Sequence, residues 1–319
     1  MRRRDFILAS GATVAWPFAA RAQQPAMPVI GLLLEVPAPE SVFAAFRQGI
    51  AEFGYAEGKN FATEYRIKPD SLPQAAADLV RLNVKVIFAA APEALAATNS
   101  ITTSIPVVGL DLENDPVAKG YVKSLARPGG NVTGVFLDIP ELCGKQIGLL
   151  KEFVPGLSRI AIFGIPGLNA PQFRAAEAAA RIFNIAAESM EVRVADDIEG
   201  AMEAARAQHV EAGILLSSPL VFVFSKQIGE LALAKGLPLI SLFEAFPKNG
   251  GLLAYGPNLG EMFKRCGSYV GRILQGAKPS DLPIQRPEKF DLVINLKTAA
   301  ALGVNVPPVL LATADEVIE

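Results

Sequence analysis

One arrangement of residues is written twice in this chain. Lys85-Val-Ile-Phe-Ala-Ala-Ala-Pro92, a helical stretch and Ile105-Pro-Val-Val-Gly-Leu110 share their layout with Ala212-Gly-Ile-Leu-Leu-Ser-Ser-Pro219, a helical stretch and Leu237-Pro-Leu-Ile-Ser-Leu242. In each copy a proline opens the helix after a strand, where its missing N–H is no loss, and another stands at the start of the next strand. Strand, helix and parallel strand repeated in two places build two similar halves rather than one long sheet.

The remainder keeps the same rhythm. Val29 to Leu34 is an apolar strand, and Glu40 to Gly54 carries Val42, Phe43, Phe46, Ile50 and Phe53 at helical spacing, with Gly54 ending the helix. Phe61 to Ile67 alternates as a strand, Pro73 opens a helix through Leu82, and Val84 to Ala89 is a continuous buried strand. The expected class is therefore α/β, with two doubly wound parallel-sheet lobes, and 319 residues suffice for two cores. Val132 to Leu137 falls at the lobe boundary and is the expected first crossing. Gly250 to Gly256 is the expected return and Phe290 to Asn295 the third. Lobe 1 would comprise residues 26–137 plus about 250–285, and lobe 2 residues 138–249 plus about 286–319.

The stretch Leu125-Ala-Arg-Pro-Gly-Gly-Asn-Val-Thr-Gly-Val135 admits three readings: a phosphate cradle, a glycosylation acceptor or a turn. A phosphate loop needs its glycines between a strand and a helix N-terminus. Here the order is reversed: Pro116 to Leu125 reads as a helix, residues 127–131 as a turn, and the strand follows. Asn131-Val132-Thr133 matches the glycosylation sequon, a pattern short enough to recur by chance, so the turn is the reading retained.

A formal charge of −2 and a pI near 5.7, without a Lys/Arg-rich block beyond the leader, leave no electrostatic footprint for nucleic acid. Half the residues are hydrophobic, yet beyond the N-terminus no apolar run approaches the roughly 18 residues that span a bilayer. The first 24 residues form a basic start, an apolar stretch from Phe6 to Ala20 and the small-x-small site Ala20-Arg21-Ala22. That is an export signal, residues 1–22, with Arg3-Arg4-Asp5-Phe6-Ile7 fitting the twin-arginine pattern and ordinary secretion as the alternative. Cleavage near Ala22 removes four arginines and one aspartate, taking the formal charge from −2 to −5. A soluble periplasmic protein is expected. Neither cysteine, Cys143 or Cys266, follows the leader where a lipid anchor would need one, and a Cys143–Cys266 pair stays open.

Catalysis finds little footing. The one histidine, His209, sits at a helix end, metal ligands are too few, and no nucleophile elbow or dinucleotide loop occurs. No cofactor and no metal are expected.

Several longer blocks carry a resemblance: the leader, Phe46-Arg-Gln-Gly49, Gly54-Tyr55-x-Glu57-Gly58-x-Asn60, Leu125 to Gly134, Tyr255-Gly-Pro257, and Phe290-x-Leu-Val-Ile-Asn-Leu-Lys-Thr-Ala299. Together they resemble the ABC transporter substrate-binding family that includes tryptophan- and tyrosine-type binding proteins. The resemblance implies a type I periplasmic binding fold, two lobes joined by a three-crossing hinge that close on a ligand and deliver it to an ABC permease in the membrane.

Ligands of open α/β sheets sit beyond the carboxyl ends of the strands. Those ends and the hinge strands supply the candidate ligand-binding residues: Glu35, Val36, Ala91, Pro92, Asp111 and Phe136 from the first half, Leu168, Asn169, Ser217, Ser218, Phe243, Glu244 and Tyr255 from the second. Glu113 lies in the same loop as Asp111. Relatives carry Ser, Thr and Gly after the first and third strands, whereas this chain has Glu35-Val36-Pro37 and Ala89-Ala90-Ala91-Pro92, and no basic residue stands in these loops. A carboxylate would rest on helix amides near Pro92 and Ser218 and on the Ser217 and Ser218 hydroxyls; an amine would pair with Glu35 or Asp111. The expected ligand is a small, largely apolar molecule, an aromatic or branched amino acid or a related acid, held by a monomer. A ligand-presenting sensor and, more remotely, a secreted enzyme are the alternatives.

Overall fold

The computed structural model describes residues 27–137 and 140–319. The expected export signal, residues 1–22, lies outside the described residues. Strands β1 (Val29–Leu34), β2 (Ala62–Ile67), β3 (Val86–Ala90), β4 (Val107–Asp111) and β5 (Val132–Phe136) form one sheet in the order β2-β1-β3-β4-β5, parallel throughout. Helix α1 (Glu40–Ala51) lies against one face of this sheet, and α2 (Leu72–Arg81) and α3 (Pro92–Ile101) lie against the other. The unbroken apolar run of β3 follows from that sandwiching. Phe88 stacks on Phe46 of α1 at 4.8 Å, whereas Ile87 and Ala89 join Leu79 and Leu95 in a separate cluster on the opposite face.

The second lobe starts with α4 (Pro140–Phe153) and continues through β6 (Arg159–Gly164), α5 (Ala170–Ile182), β7 (Ala186–Glu191), α6 (Asp197–Ala207) and β8 (Ala212–Leu215). Helices α7 (Pro219–Val223) and α8 (Ser225–Ala234), strand β9 (Leu239–Ser241), α9 (Ala245–Lys248) and β10 (Leu253–Pro257) follow. Then come α10 (Leu259–Leu274), a 3₁₀ turn (Pro279–Asp281), β11 (Phe290–Asn295), α11 (Leu296–Ala301), α12 (Pro308–Thr313) and β12 (Glu316–Ile318). The second sheet runs β12-β11-β10-β9-β8-β6-β7, parallel except where β10 meets β11.

The exception follows from the crossings. β10 ends at Pro257, and the next element, α10, packs on α1, β3, β4 and β5 of the first lobe. Leu282, Ile284 and Gln285 then run beside β5, with Gln285 N–H donating to Gly134 O and Phe136 N–H to Gln285 O. The chain re-enters the second sheet at Phe290, opposite Pro257, so β11 starts where β10 stops and must run against it. The expected return crossing at 250–256 is thereby corrected: that segment holds β10, paired with β9 and β11 inside the second sheet, and the chain leaves only after it. The expected third crossing is likewise a strand of that sheet, with the passage just before Phe290.

Residues 116–125 are not helical. Asp115 Oδ1 accepts Val117 N–H at 2.8 Å to start a turn, and Gly120 at φ 73° ends it at once. The turn at 127–131 is as expected: Gly129 takes φ 70°, Asn131 Nδ2 donates to Ile105 O at 2.8 Å, and β5 begins at Val132. Cys143 and Cys266 are buried free thiols, on α4 and α10 respectively. Burial pushes Cys143 up to about 12. Among the described residues no helix is long and apolar enough to cross a membrane.

Candidate functional site

The carboxyl ends of both sets of strands meet at one seam. β1 delivers Leu34, Val36 and Pro37, β3 delivers Ala90 and Ala91, and β4 delivers Leu110, Leu112 and Glu113. Across from them stand Pro219 and Phe222 of α7 and Phe243 after β9, while Leu259 and Phe263 of α10 close one side. Between these residues lies a narrow cleft of about 80 Å³, partly open to solvent. The walls are almost wholly apolar. Phe222 and Phe243 meet edge to face, 5.2 Å between centroids at 75°, and Phe263 meets Phe88 in the same manner at 5.3 Å.

Ala91 shapes the first-lobe wall at a conformational cost. Its backbone sits at φ 82°, ψ 159°, a region essentially reserved for glycine, with its N–H on Leu110 O at 2.9 Å. Glycine at this position would be unstrained, but it would present no methyl to the cavity.

Among the described residues one polar side chain lines the cavity, Glu113, and it joins the lobes. Ser217 Oγ donates to Glu113 Oε1 at 2.6 Å, while Leu112 N–H donates to Glu113 Oε2 at 3.1 Å. Glu113 is only 7 % exposed, and burial together with the neighbouring Asp111 carboxylate pushes its pKa up to about 8. Asp111, fully buried, accepts Glu113 N–H at 2.9 Å, Asn114 N–H at 3.0 Å and Asn114 Nδ2 at 2.9 Å. Its carboxylate thus folds its own loop rather than facing the cavity. Burial raises its pKa, and those hydrogen bonds pull the other way. Glu35 is raised mainly by burial and held down by the Glu93 backbone amide at the start of α3; its Oε2 is buried without a partner.

Of the thirteen candidate residues, the structure sets Val36, Ala91 and Phe243 in the cavity wall. Ser217 stands behind it, bound to Glu113, and its N–H donates to Gln172 Oε1 at 3.0 Å. Asn169 braces this loop: its Oδ1 accepts Ile165 N–H at 2.7 Å and its Nδ2 donates to Ser217 O at 2.7 Å. Ser218 caps α7 by accepting Val221 N–H at 3.2 Å. Glu35 and Pro92 flank wall residues, Leu168 lies outside the wall, and Glu244 pairs with Lys248 at 3.1 Å. Phe136 packs into the cluster between the first sheet and α2 and α3. Tyr255 stacks on Phe290 at 6.0 Å, across the β10–β11 pair of the second sheet. Neither of these two lines the cavity. Sequence reasoning missed Phe222, Leu259 and Phe263; the signal for the α10 pair was an apolar i, i+4 spacing in the first turns of a helix that follows a crossing.

The sequence profile described as "ABC transporter substrate binding protein" matches residues 29–318. The chain belongs to this ABC transporter substrate-binding family. A curated relative, a "Tyrosine-binding protein" of Clostridioides difficile (strain R20291), is 24% identical over 300 residues, covering 86% of this chain and 79% of the relative. Among solved structures, a conserved domain protein from Vibrio cholerae O1 biovar El Tor superposes with a TM-score of 0.83 at 25% identity, over 91% of this chain and 99% of that one. An ABC domain from Streptococcus pneumoniae in complex with L-Trp gives the same TM-score at 23% identity, again over 91% and 99% of the two chains. The type I periplasmic binding fold expected for a substrate-binding family member is the one found, with parallel-dominated sheets in both lobes.

Proposed function

We propose that this substrate-binding protein is exported, works as a monomer in the periplasm, and captures a small, largely apolar ligand between its lobes for delivery to an ABC permease. The single observation that carries the reading is the cavity at the seam, whose apolar walls come from both lobes. The lobes in this reading are the two sheets with their helices, divided at 137–140, 257–258 and 286–290. The starting ligand class is an aromatic or branched amino acid or a related acid, supported by the tyrosine and L-Trp named for the relatives. Burying an aromatic ring of about 150–250 Å² yields roughly 4–6 kcal/mol gross, at least half of the roughly 8 kcal/mol that micromolar affinity requires. The family match favours transport over the sensor and enzyme readings.

The test is a thermal-shift screen of the mature protein against amino acids, aromatic acids and their amines, followed by small-angle scattering with each hit. A rise in melting temperature with a smaller radius of gyration is expected. A broad screen without a shift removes the ligand class, and a hit without compaction removes the closing motion.

A further inference from the structure

We infer that the cleft selects its ligand by the size of the apolar part, admitting a branched alkyl group and turning away an aromatic ring, with the Ser217–Glu113 bond as the gauge. The inference rests on the proposed reading of the cavity and chooses between the two halves of its ligand class.

With Ser217 Oγ on Glu113 Oε1 at 2.6 Å, the lobes stand in contact across the seam, and the space left between them is about 80 Å³. An engineered dry cavity that takes up benzene measures about 150 Å³. The cleft offers roughly half of that, enough for an isopropyl or isobutyl group and too little for a phenyl or an indole. Of the lining residues only Pro37 and Pro39 are exposed, which sets the mouth at the loop between β1 and α1. A ligand's polar end can stay wet at that mouth, so the limit bears on its apolar part.

Neither wall gives way by itself. Pro37, Pro39 and Pro219 hold the backbone around the cleft with fixed φ. Phe222 is set edge to face on Phe243 at 5.2 Å, and Phe263 meets Phe88 at 5.3 Å and Phe43 at 6.3 Å, also edge to face, so that swinging either ring aside breaks a pairing. Room for an aromatic ligand must therefore come from parting the lobes. Ser217 and Glu113 are both buried, and their 2.6 Å bond is lost once the atoms stand about 3.6 Å apart, an opening of roughly 1 Å. A small ligand is enclosed with the bond made; a larger one holds the lobes apart and forgoes it.

Sets sharing one polar end test this on the mature wild-type protein: L-leucine against L-phenylalanine and L-tryptophan, and isovalerate against phenylacetate and indole-3-acetate. Affinity is measured calorimetrically and compaction by small-angle scattering. The branched member is expected to bind at least roughly tenfold more tightly than its aromatic counterparts, with the greater compaction. In Ser217→Ala the branched member should weaken while the aromatic ones hold, narrowing the preference at least roughly fivefold. In Phe222→Ala, where the cleft is widened, the aromatic members should gain at least roughly tenfold on the branched one. An aromatic member bound as tightly as the branched one by the wild type overturns the inference and leaves the proposed function standing. A preference unchanged by either substitution also overturns it. If no compound binds, the inference fails together with the ligand class of the proposed function. Should Phe222→Ala not fold, the wild-type ranking and Ser217→Ala decide.

Discussion

Glu113 holds a proton that the unfolded chain would release. Its folded pKa of about 8 lies above the ordinary 4.5, so its contribution to stability is whole below about 4.5 and is lost as pH rises through about 8. Glu113→Gln keeps an acceptor for Ser217 and removes the titration. The melting temperature of the wild type should fall between about pH 5 and about pH 8.5 by more than that of the variant; parallel curves would place the titrating group elsewhere. Ala91 allows a second test. Its φ of 82° is strained for any side chain, so Ala91→Gly should leave stability unchanged or raise it by up to about 1 kcal/mol despite the lost methyl. A chemical-denaturation midpoint that drops by more than that would contradict the account. Ser218→Ala should cost about 0.5–2 kcal/mol through the lost α7 cap, with ligand affinity retained. These residues also mark what single positions disclose. The strand ends pointed to Val36, Ala91 and Phe243, which the structure sets in the cavity wall, because a parallel sheet sends its carboxyl ends to one side. That Asp111 would fold its own loop while Glu113, two residues on, faced the cavity was not legible, since both are acids in one turn.

At the level of elements, α1 and α10 approach until their backbones nearly touch. A Cβ added at Gly267 would lie 2.0 Å from Phe46 O, and one at Gly49 would lie 1.9 Å from Lys264 O. Gly49→Ala and Gly267→Ala should each destabilise the protein by at least about 2 kcal/mol in denaturant unfolding, since neither helix can withdraw without opening the Phe46–Phe88–Phe263 stack. α10 was readable as a helix from its own pattern, with Met262, Phe263, Cys266, Tyr269, Val270 and Ile273 on its buried side. Its partner was not, because α1 lies more than two hundred residues earlier in the chain. The same limit explains the misplaced return crossing. Leu253 to Pro257 reads as a strand from its sequence, but the sheet that receives it depends on hydrogen bonds to β9 and to β11. The 116–125 stretch failed for a local reason: Asp115 and Gly120 bound a single turn, and their signals weighed more than the apolar spacing between them.

For the molecule as a whole, the bond from Ser217 to Glu113 is the contact on which closing can be measured. The two residues lie on different lobes, 104 positions apart in sequence, so parting the lobes hands both groups to water. Closing then exchanges two hydrated groups for one short hydrogen bond in a dry seam. Ser217→Ala removes the donor only. In the open form the carboxyl stays hydrated and nothing is lost; in the closed form Glu113 Oε1 is buried without its partner, at a cost of about 1–3 kcal/mol. The closing equilibrium should therefore shift toward the open form by roughly 5–150-fold, and apparent affinity for any ligand held only by the closed form should weaken by the same factor. The melting temperature without ligand should move little if the unliganded protein rests open. Calorimetric affinity for a hit from the screen checks the first expectation, and scattering of the ligand-saturated variant shows whether it still compacts. Unchanged affinity in Ser217→Ala would mean that the apolar walls alone bring the lobes together.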